Sequence, residues 1–166
     1  MQGKLERTIA ASLAQVQQPS AAEDSGKDQI DKADEDIKAD EDTLARHWTN
    51  FTLERLEQEL QAGKTVIVDF TADWCLSCKE LEFRVLHNKN VLAKIDELGI
   101  VTLQADWTNR DPIITQMLQK LGGEQVPVIA IFRAESPNNP KILRGSFRVK
   151  TFMNHLVELE NPKEGS

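Results

Sequence analysis

The only two cysteines of the chain, Cys75 and Cys78, are separated by two residues, Leu76 and Ser77. They closely follow an apolar run, Val66 to Phe70, which predicts a buried strand. Two thiols at this spacing, between a strand and the start of a helix, are typical of a pair that alternates between dithiol and disulfide. The chemistry that this stretch indicates is therefore thiol–disulfide exchange.

The spacing also predicts which sulfur reacts first. If a helix begins at Cys75, then Cys78 lies one turn further along the same side, at a Cα separation of about 5–6 Å that a disulfide tolerates. The positive end of a helix stabilises a thiolate and lowers a cysteine pKa from about 8.5 towards 7. We therefore expect Cys75 to be the attacking nucleophile and Cys78 to be the resolving thiol, which releases the mixed disulfide.

Two other interpretations of the cysteine pair are a zinc site and a pair of inert buried thiols. Zinc takes four protein ligands in structural sites and three in catalytic sites. The sequence has no second cysteine pair, and its three histidines, His47, His87 and His155, are scattered singly. The sequence therefore predicts no metal site, and the strand before the pair and the helix after it also favour a redox role over inert thiols.

Four further residues near the pair carry possible chemistry. Asp69 interrupts the apolar run, and a buried carboxylate costs stability unless it is paired, hydrated or protonated. Burial would raise its pKa, so that it exchanges a proton with Cys78; the alternative is that Asp69 points to solvent.

Glu82 shares a helix face with Cys78 and is either a second acid near that sulfur or an ordinary surface residue. Lys79 either assists the Cys75 thiolate or is solvated, and Trp74 either shields the disulfide and contacts a partner or serves packing.

Composition narrows the classes of partner. Of 166 residues, 27 are acidic and 20 basic, and the resulting net charge of −7 argues against a nucleic-acid partner. No run of about 18 apolar residues predicts a membrane span, and Met1 to Val16 lack the apolar stretch of a signal peptide. We expect either a cytosolic protein or an excised domain of a larger exported or membrane protein.

The chain divides into two parts by composition. Residues 1–45 are polar and acidic, and Lys32 to Asp36 recur in the same order as Lys38 to Asp42. Such a segment buries too little apolar area to fold alone, so we expect a disordered linker or tail. Its alternating carboxylates also suggest a calcium loop, but the repeat lacks the glycine that an EF-hand turn needs. Residues 46–162 have the patterning of one folded domain.

Patterning in this domain predicts the order β-α-β-α-β-α-β-β-α. Thr52 and Asp111, the latter followed by Pro112, are expected to cap the starts of two helices. The active-site helix is expected from Cys75 to about Leu86, a loop at Ser136 to Pro140, and a hairpin strand at Lys141 to Arg144. Strands that alternate with helices and end in a hairpin predict an α/β fold, in which helices flank a central mixed sheet on both faces.

Three separated stretches resemble one known family. Residues 68–79 around the cysteines, residues 105–112 (Ala-Asp-Trp-Thr-Asn-Arg-Asp-Pro) and Val126-Pro127 resemble the C-terminal, thioredoxin-like domain of the DsbD family of thiol:disulfide interchange proteins. Ordinary thioredoxins carry Gly-Pro between their cysteines, where this sequence has Leu76-Ser77. The resemblance runs from about Trp48 to Leu159 and implies the thioredoxin fold.

The resemblance also implies a function and further site residues. It implies a protein-disulfide reductase that uses no diffusible cofactor and relays electrons from a membrane domain to an extracytoplasmic acceptor domain in the bacterial periplasm. It places Asp69 and Glu82 at acidic positions that tune the active-site cysteine. It places Pro127 at a cis-proline that faces the disulfide, Val126 at a backbone that pairs with an extended partner, and Gly145 at a close approach of backbone to the site. A stand-alone thioredoxin-like reductase or oxidase and a non-catalytic binding module of the same fold remain alternatives.

Overall fold

The computed structural model describes residues 38–161, which form a five-stranded sheet with helices on both faces. The strands are β1 (Thr49–Asn50), β2 (Val66–Thr71), β3 (Val101–Asp106), β4 (Val128–Arg133) and β5 (Ser136–Arg144). Their order across the sheet is β1-β3-β2-β4-β5. β1 and β2 run parallel to β3, whereas β4 runs antiparallel to both β2 and β5. The predicted central mixed sheet with helices on both faces is confirmed.

The helices are α1 (Glu41–Arg46), α2 (Leu53–Gln61), α3 (Leu76–Leu81), α4 (Lys89–Glu97), α5 (Pro112–Lys120) and α6 (Val149–Glu160). Local sequence explains where several of them begin, because a short polar side chain accepts a backbone N–H of the first turn. Thr52 caps α2, Asn88 caps α4, and Asp111 caps α5 with Pro112 as the first helical residue. The predicted starts of α2 and α5 are confirmed.

Two apolar cores lie on opposite faces of the sheet, because successive side chains of a strand point to opposite sides. Val66, Val68 and Phe70 of β2 pack in one core with residues of α2 and α5. Ile67 of the same strand packs in the other core, beneath α3, α4 and α6. Since Asp69 is two residues after Ile67, its side chain lies on this second face, under the helix that carries the cysteines.

The active-site helix is not the continuous α-helix that the sequence predicts. After α3 the chain continues as a π-helical segment, Glu82–Leu86, in which the amide of His87 donates to the carbonyl of Glu82, five residues earlier, at 2.8 Å. This wider turn buries Glu82, Val85 and Leu86 together. One inserted residue of this kind is common near functional sites and leaves no period-3.6 signal in the sequence.

The predicted loop Ser136 to Pro140 is wrong, because these residues are part of β5. The turn is shorter and lies at Ala134 and Glu135. Pro137 and Pro140 are tolerated in a strand here because β5 is at the edge of the sheet, where a missing N–H need not break a ladder. The pairing between β4 and β5 changes register between Ile131 and Arg133 of β4.

The described fold begins earlier than residue 46. Lys38 forms an isolated bridge with Asn88, and the amide of Ala39 donates to the carbonyl of His87 at 2.8 Å. Asp40 then caps α1, since its carboxylate accepts the amide of Thr43 at 2.8 Å. The acidic pattern assigned to a tail thus includes a helix start, where carboxylates are favourable. The first copy of the repeat and the predicted linker, over residues 1–37, lie outside the described residues.

Replacing a buried isoleucine should lower the free energy of unfolding far more than replacing an exposed one. Ile129 of β4 is fully buried, whereas Ile113 of α5 is half exposed. We expect Ile129→Ala to lower the free energy of unfolding by about 2–5 kcal/mol because it leaves a cavity between the sheet and its helices. The matched control Ile113→Ala should change it by less than about 0.5 kcal/mol. Urea unfolding of the oxidised protein measures both, and equal losses would contradict the assignment of this core.

Candidate active site

Cys75 and Cys78 form a disulfide at the start of α3, with their Cα atoms 5.2 Å apart. Cys75 is the residue that caps α3, and its sulfur accepts the backbone N–H of Cys78 at 3.2 Å. The same sulfur lies 3.4 Å from the hydroxyl of Ser77. Cys75 is 8% exposed and Cys78 only 1%. The two sulfurs are thus chemically distinct, because one sits at a helix end near the surface and the other beneath it.

Asp69 is 1% exposed, in a strand whose six residues are all buried. Among residues 38–161, neither of its carboxyl oxygens has a hydrogen-bond partner. Burial raises the pKa of Asp69 well above its ordinary value, and the negative charge of Glu82 raises it further. This carboxyl group therefore binds a proton more tightly than a surface aspartate does, and it does not point to solvent.

Glu82 is also buried, and both of its oxygens lie near a donor. The side-chain amide of Gln104 donates to one oxygen at 3.0 Å, and the ammonium group of Lys79 lies 3.4 Å from the other. Lys79 also lies 3.5 Å from the exposed carboxylate of Asp73. Lys79 is thus placed between two carboxylates, and Glu82 is not an ordinary surface residue.

Gln104 is a site residue that the sequence analysis missed. It lies on β3 directly beside Asp69 of β2, in parallel register. Its amide reaches Glu82, so that one polar side chain lies next to one buried acid and donates to the other. The only signal in the sequence is a polar residue at an inward position of a strand, which does not by itself indicate a contact.

Trp74 stands beside the disulfide with half of its side chain exposed, at 50%. Its indole N–H donates to the carbonyl of Thr108 at 3.1 Å, and its ring lies 5.9 Å from the ring of Trp107. Thr108 also accepts the amide of Asp73 at 2.8 Å. The segment after β3, which the resemblance singled out, therefore supports the loop that carries the cysteines.

The Val126–Pro127 peptide bond is cis. Val126 is partly buried and packs against Ala72 and both cysteines, which places this bond beside the disulfide. The carbonyl of Pro127 accepts the amide of Gly145 at 3.2 Å. Gly145 has a φ of +72°, and an added Cβ would meet nothing within 4 Å, so backbone conformation and not crowding within the described chain favours glycine.

A family model described as Thioredoxin-like matches residues 47–134, which include β1 to β4 and the cysteine pair. The chain belongs to the thioredoxin-like family. This domain is also similar to a solved structure, the C-terminal domain of Neisseria meningitidis DsbD in the oxidised form, with a TM-score of 0.55 and 25% identity. That match covers 74% of this chain and 97% of the meningococcal one.

Curated relatives of the domain are thiol:disulfide interchange proteins named DsbD. The protein from Vibrio cholerae is 36% identical over 97 residues, which are 58% of this chain and 16% of the relative. The protein from Vibrio vulnificus strain CMCP6 is 33% identical over 114 residues, which are 66% of this chain and 19% of the relative. The chain thus spans less than a fifth of the length of these relatives.

These findings, together with the disulfide, identify the domain as a thiol–disulfide oxidoreductase. Within residues 38–161, no group of three or more His, Cys, Asp or Glu side chains is placed to hold a metal ion. Over the same residues, no helix combines the length and the apolar composition that crossing a membrane requires.

The raised pKa of Asp69 predicts a pH dependence of stability. Because the folded protein binds this proton more tightly than the unfolded chain, stability decreases as pH rises from about 4, the unfolded pKa, through the folded pKa. Asp69→Asn cannot ionise, so its free energy of unfolding relative to wild type should increase over that window and then level off. Urea unfolding of the oxidised proteins at pH 4.5 to 8 measures this difference.

The control for this measurement is Asp73→Asn, which removes an exposed carboxylate from the loop that follows the same strand. Its difference from wild type should not follow the Asp69→Asn profile. A constant Asp69→Asn difference across the whole range would contradict a raised pKa.

Proposed function

We propose that the domain is a protein-disulfide reductase that relays electrons by dithiol–disulfide exchange to extracytoplasmic protein partners, with Cys75 as the nucleophile and Cys78 as the resolving thiol. The observation that carries the proposal is the asymmetry of the pair. The Cys75 sulfur lies at the helix end and accepts the N–H of Cys78, whereas the Cys78 sulfur is buried one turn deeper.

The first step is the attack of the Cys75 thiolate on a partner disulfide. A new S–S bond forms between Cys75 and the partner, the partner's S–S bond breaks, and the second partner sulfur leaves as a thiolate. The N–H of Cys78 and the positive end of α3 stabilise the Cys75 thiolate before the attack. Cys75 is also the less buried of the two cysteines, so we expect a partner disulfide to meet it first.

The second step is the attack of Cys78 on the Cys75 sulfur, which closes the internal disulfide and releases the reduced partner. Cys78 is buried and must lose its thiol proton in an apolar site, which costs free energy. We assign the acceptance of this proton to Asp69, whose side chain lies on the same face of the sheet as α3. A raised pKa suits this role, because a general base works best when its pKa is close to the working pH.

Glu82 has a tuning role in this proposal. Its charge adds to the effect of burial on Asp69, and it is itself fixed by Gln104 and Lys79. Glu82 thus favours the protonated form of Asp69, which makes the Asp69 carboxylate a stronger base for the thiol proton of Cys78. When the oxidised domain accepts electrons, the same proton returns to the sulfur of Cys78.

Partner contacts are assigned to the residues around Cys75. Trp74 and Leu76, which is 84% exposed, present apolar surface on either side of Cys75. Val126 packs against the two cysteines, and the carbonyl of Pro127, the next residue, accepts the amide of Gly145. An extended partner segment could add to this backbone in the manner of an extra strand.

The names of the relatives support a place in an electron relay. Each relative cited above is a thiol:disulfide interchange protein, and each is several times longer than this chain. We therefore propose that the domain acts in the bacterial periplasm as part of a larger membrane or exported protein, with a membrane domain as electron donor and an extracytoplasmic domain as acceptor. The acidic residues before Lys38 would be its linker.

The reduction potential of the Cys75–Cys78 pair tests the direction of electron flow. We expect about −200 to −270 mV at pH 7, the range of thioredoxins and glutaredoxins, because a protein that reduces its partners needs a low reduction potential. Equilibration with a glutathione redox buffer, followed by thiol alkylation and mass spectrometry, gives this value. A potential near −120 mV, as in strong oxidants, would mean that the domain donates disulfides instead.

The control variants for activity are Cys75→Ser and Cys78→Ser. Cys75→Ser should abolish reduction of a protein disulfide, and Cys78→Ser should accumulate a mixed disulfide through Cys75. A Cys75→Ser protein that still reduces disulfides would overturn the assignment of the nucleophile. Stable partner complexes that survive the loss of both cysteines, without turnover, would favour a binding module.

The role of Asp69 predicts a selective kinetic effect. In Asp69→Asn the release step that Cys78 performs should slow by on the order of 10²-fold, because general-base assistance is lost. Formation of the mixed disulfide by Cys75 should be nearly unchanged. Rapid acid quenching of the reduced domain mixed with a peptide disulfide resolves the two steps, and Asp73→Asn is again the control. Equal slowing of both steps, or no change in either, would contradict a role in proton transfer.

A further inference from the structure

Arg110 lies against the two tryptophans beside the active site. Its guanidinium carbon is 5.2 Å from the centre of the Trp74 ring and 4.5 Å from that of Trp107. A guanidinium group over an aromatic face is attracted by the negative charge density of the ring. This contact places a cation against Trp74, the residue that immediately precedes Cys75.

The backbone at Arg110 takes a conformation that few residues with a side chain adopt. Its φ is +54°, in the left-handed region, and its amide donates to the carbonyl of Trp107 at 2.9 Å. The next residue, Asp111, caps α5 and so fixes the chain on the other side. A non-glycine residue in this region is strained and persists only where the surroundings hold it. With the backbone in this conformation, the Arg110 side chain lies on the two tryptophans.

The charge of Arg110 is not neutralised by a neighbouring carboxylate. Arg110 takes part in none of the ion pairs among residues 38–161, and it is exposed to solvent. Nearby acids are otherwise engaged, because Asp106 accepts from Thr108 and Asp111 accepts from the amides of α5. The guanidinium keeps free N–H donors, which bind a carboxylate in a planar, two-point arrangement.

We propose that Arg110 is a specificity-determining residue that, together with Trp74, selects partner segments carrying a carboxylate side chain next to their reactive cysteine. The inference rests on the proposed reductase function and names the chemistry of the partner segment that the site prefers. Trp74 supplies apolar contact, and Arg110 supplies the charge that recognises an aspartate or glutamate of the partner.

The test compares two peptide disulfides in single turnover with the reduced domain. The peptides are identical apart from the residues on either side of the cysteine, which are Glu in one and Gln in the other. Each turnover transfers two electrons, so that Cys75 and Cys78 form their disulfide and the peptide disulfide is released as two thiols. The measured quantity is the ratio of the rate constant for the Glu peptide to that for the Gln peptide, obtained for wild type and for each variant.

We expect this ratio to be about threefold higher in wild type than in Arg110→Gln, the size of effect that an exposed ion pair gives. The matched control Arg55→Gln removes the same charge from α2 and should keep the wild-type ratio. Raising the ionic strength should lower the ratio in wild type and leave it constant in Arg110→Gln. A ratio that is the same in wild type and Arg110→Gln would overturn the proposal.

Comparison between variants corrects for the different intrinsic reactivities of the two peptides, because every variant meets the same pair. An equal loss of preference in Arg55→Gln would assign the effect to overall charge and would also overturn the proposal. Failure of the wild-type domain to reduce either peptide would count instead against the reductase function. Reduction of both peptides without an Arg110-dependent preference would leave that function intact and remove only the role of Arg110.

Discussion

A carboxyl group inside the central strand is the constraint on which the site depends. Asp69 occupies a position of β2 where every neighbour along the strand is buried and apolar apart from Thr71. A charge there has a large desolvation cost, so the fold favours the protonated acid. The surrounding groups follow from this. Glu82 lies directly after α3, the helix that begins at the cysteines. Gln104 donates a hydrogen bond to one of its carboxylate oxygens, and Lys79 forms an ion pair with the other. A buried carboxyl group that favours its protonated form is thus built into the sheet itself.

The loop that carries the cysteines also depends on contacts from the segment that follows β3. The segment that follows β3 contacts the cysteine loop through three kinds of interaction: hydrogen bonds from Asp73 and Trp74 to Thr108, the packing of Trp74 on Trp107, and the cation of Arg110. Since β2 and β3 run parallel, their carboxyl ends meet at the same edge of the sheet. The loop that bears the reactive sulfur is therefore held by its neighbour in the sheet and not by its own sequence alone.

Much of the fold followed from the sequence because its signals are local. The period of apolar residues located the central strands, and Thr52 and Asp111 marked helix starts through their capping side chains. The cysteine spacing located the site for the same reason. The features that were missed depend on tertiary contacts: the π-helical turn at Glu82, the strand character of Ser136 to Pro140, and the pairing of Gln104 with Glu82. A sequence pattern does not record which side chains meet across strands.

The edges of the sheet bear on how copies of the domain meet one another. One edge is β1, which is only two residues long, and the other is β5, whose first half is interrupted by Pro137 and Pro140. Short edge strands and prolines leave few unpaired backbone groups in a row for a foreign strand to join. Sheet-to-sheet aggregation through these edges is thereby discouraged, even at the high local concentrations of a crowded compartment.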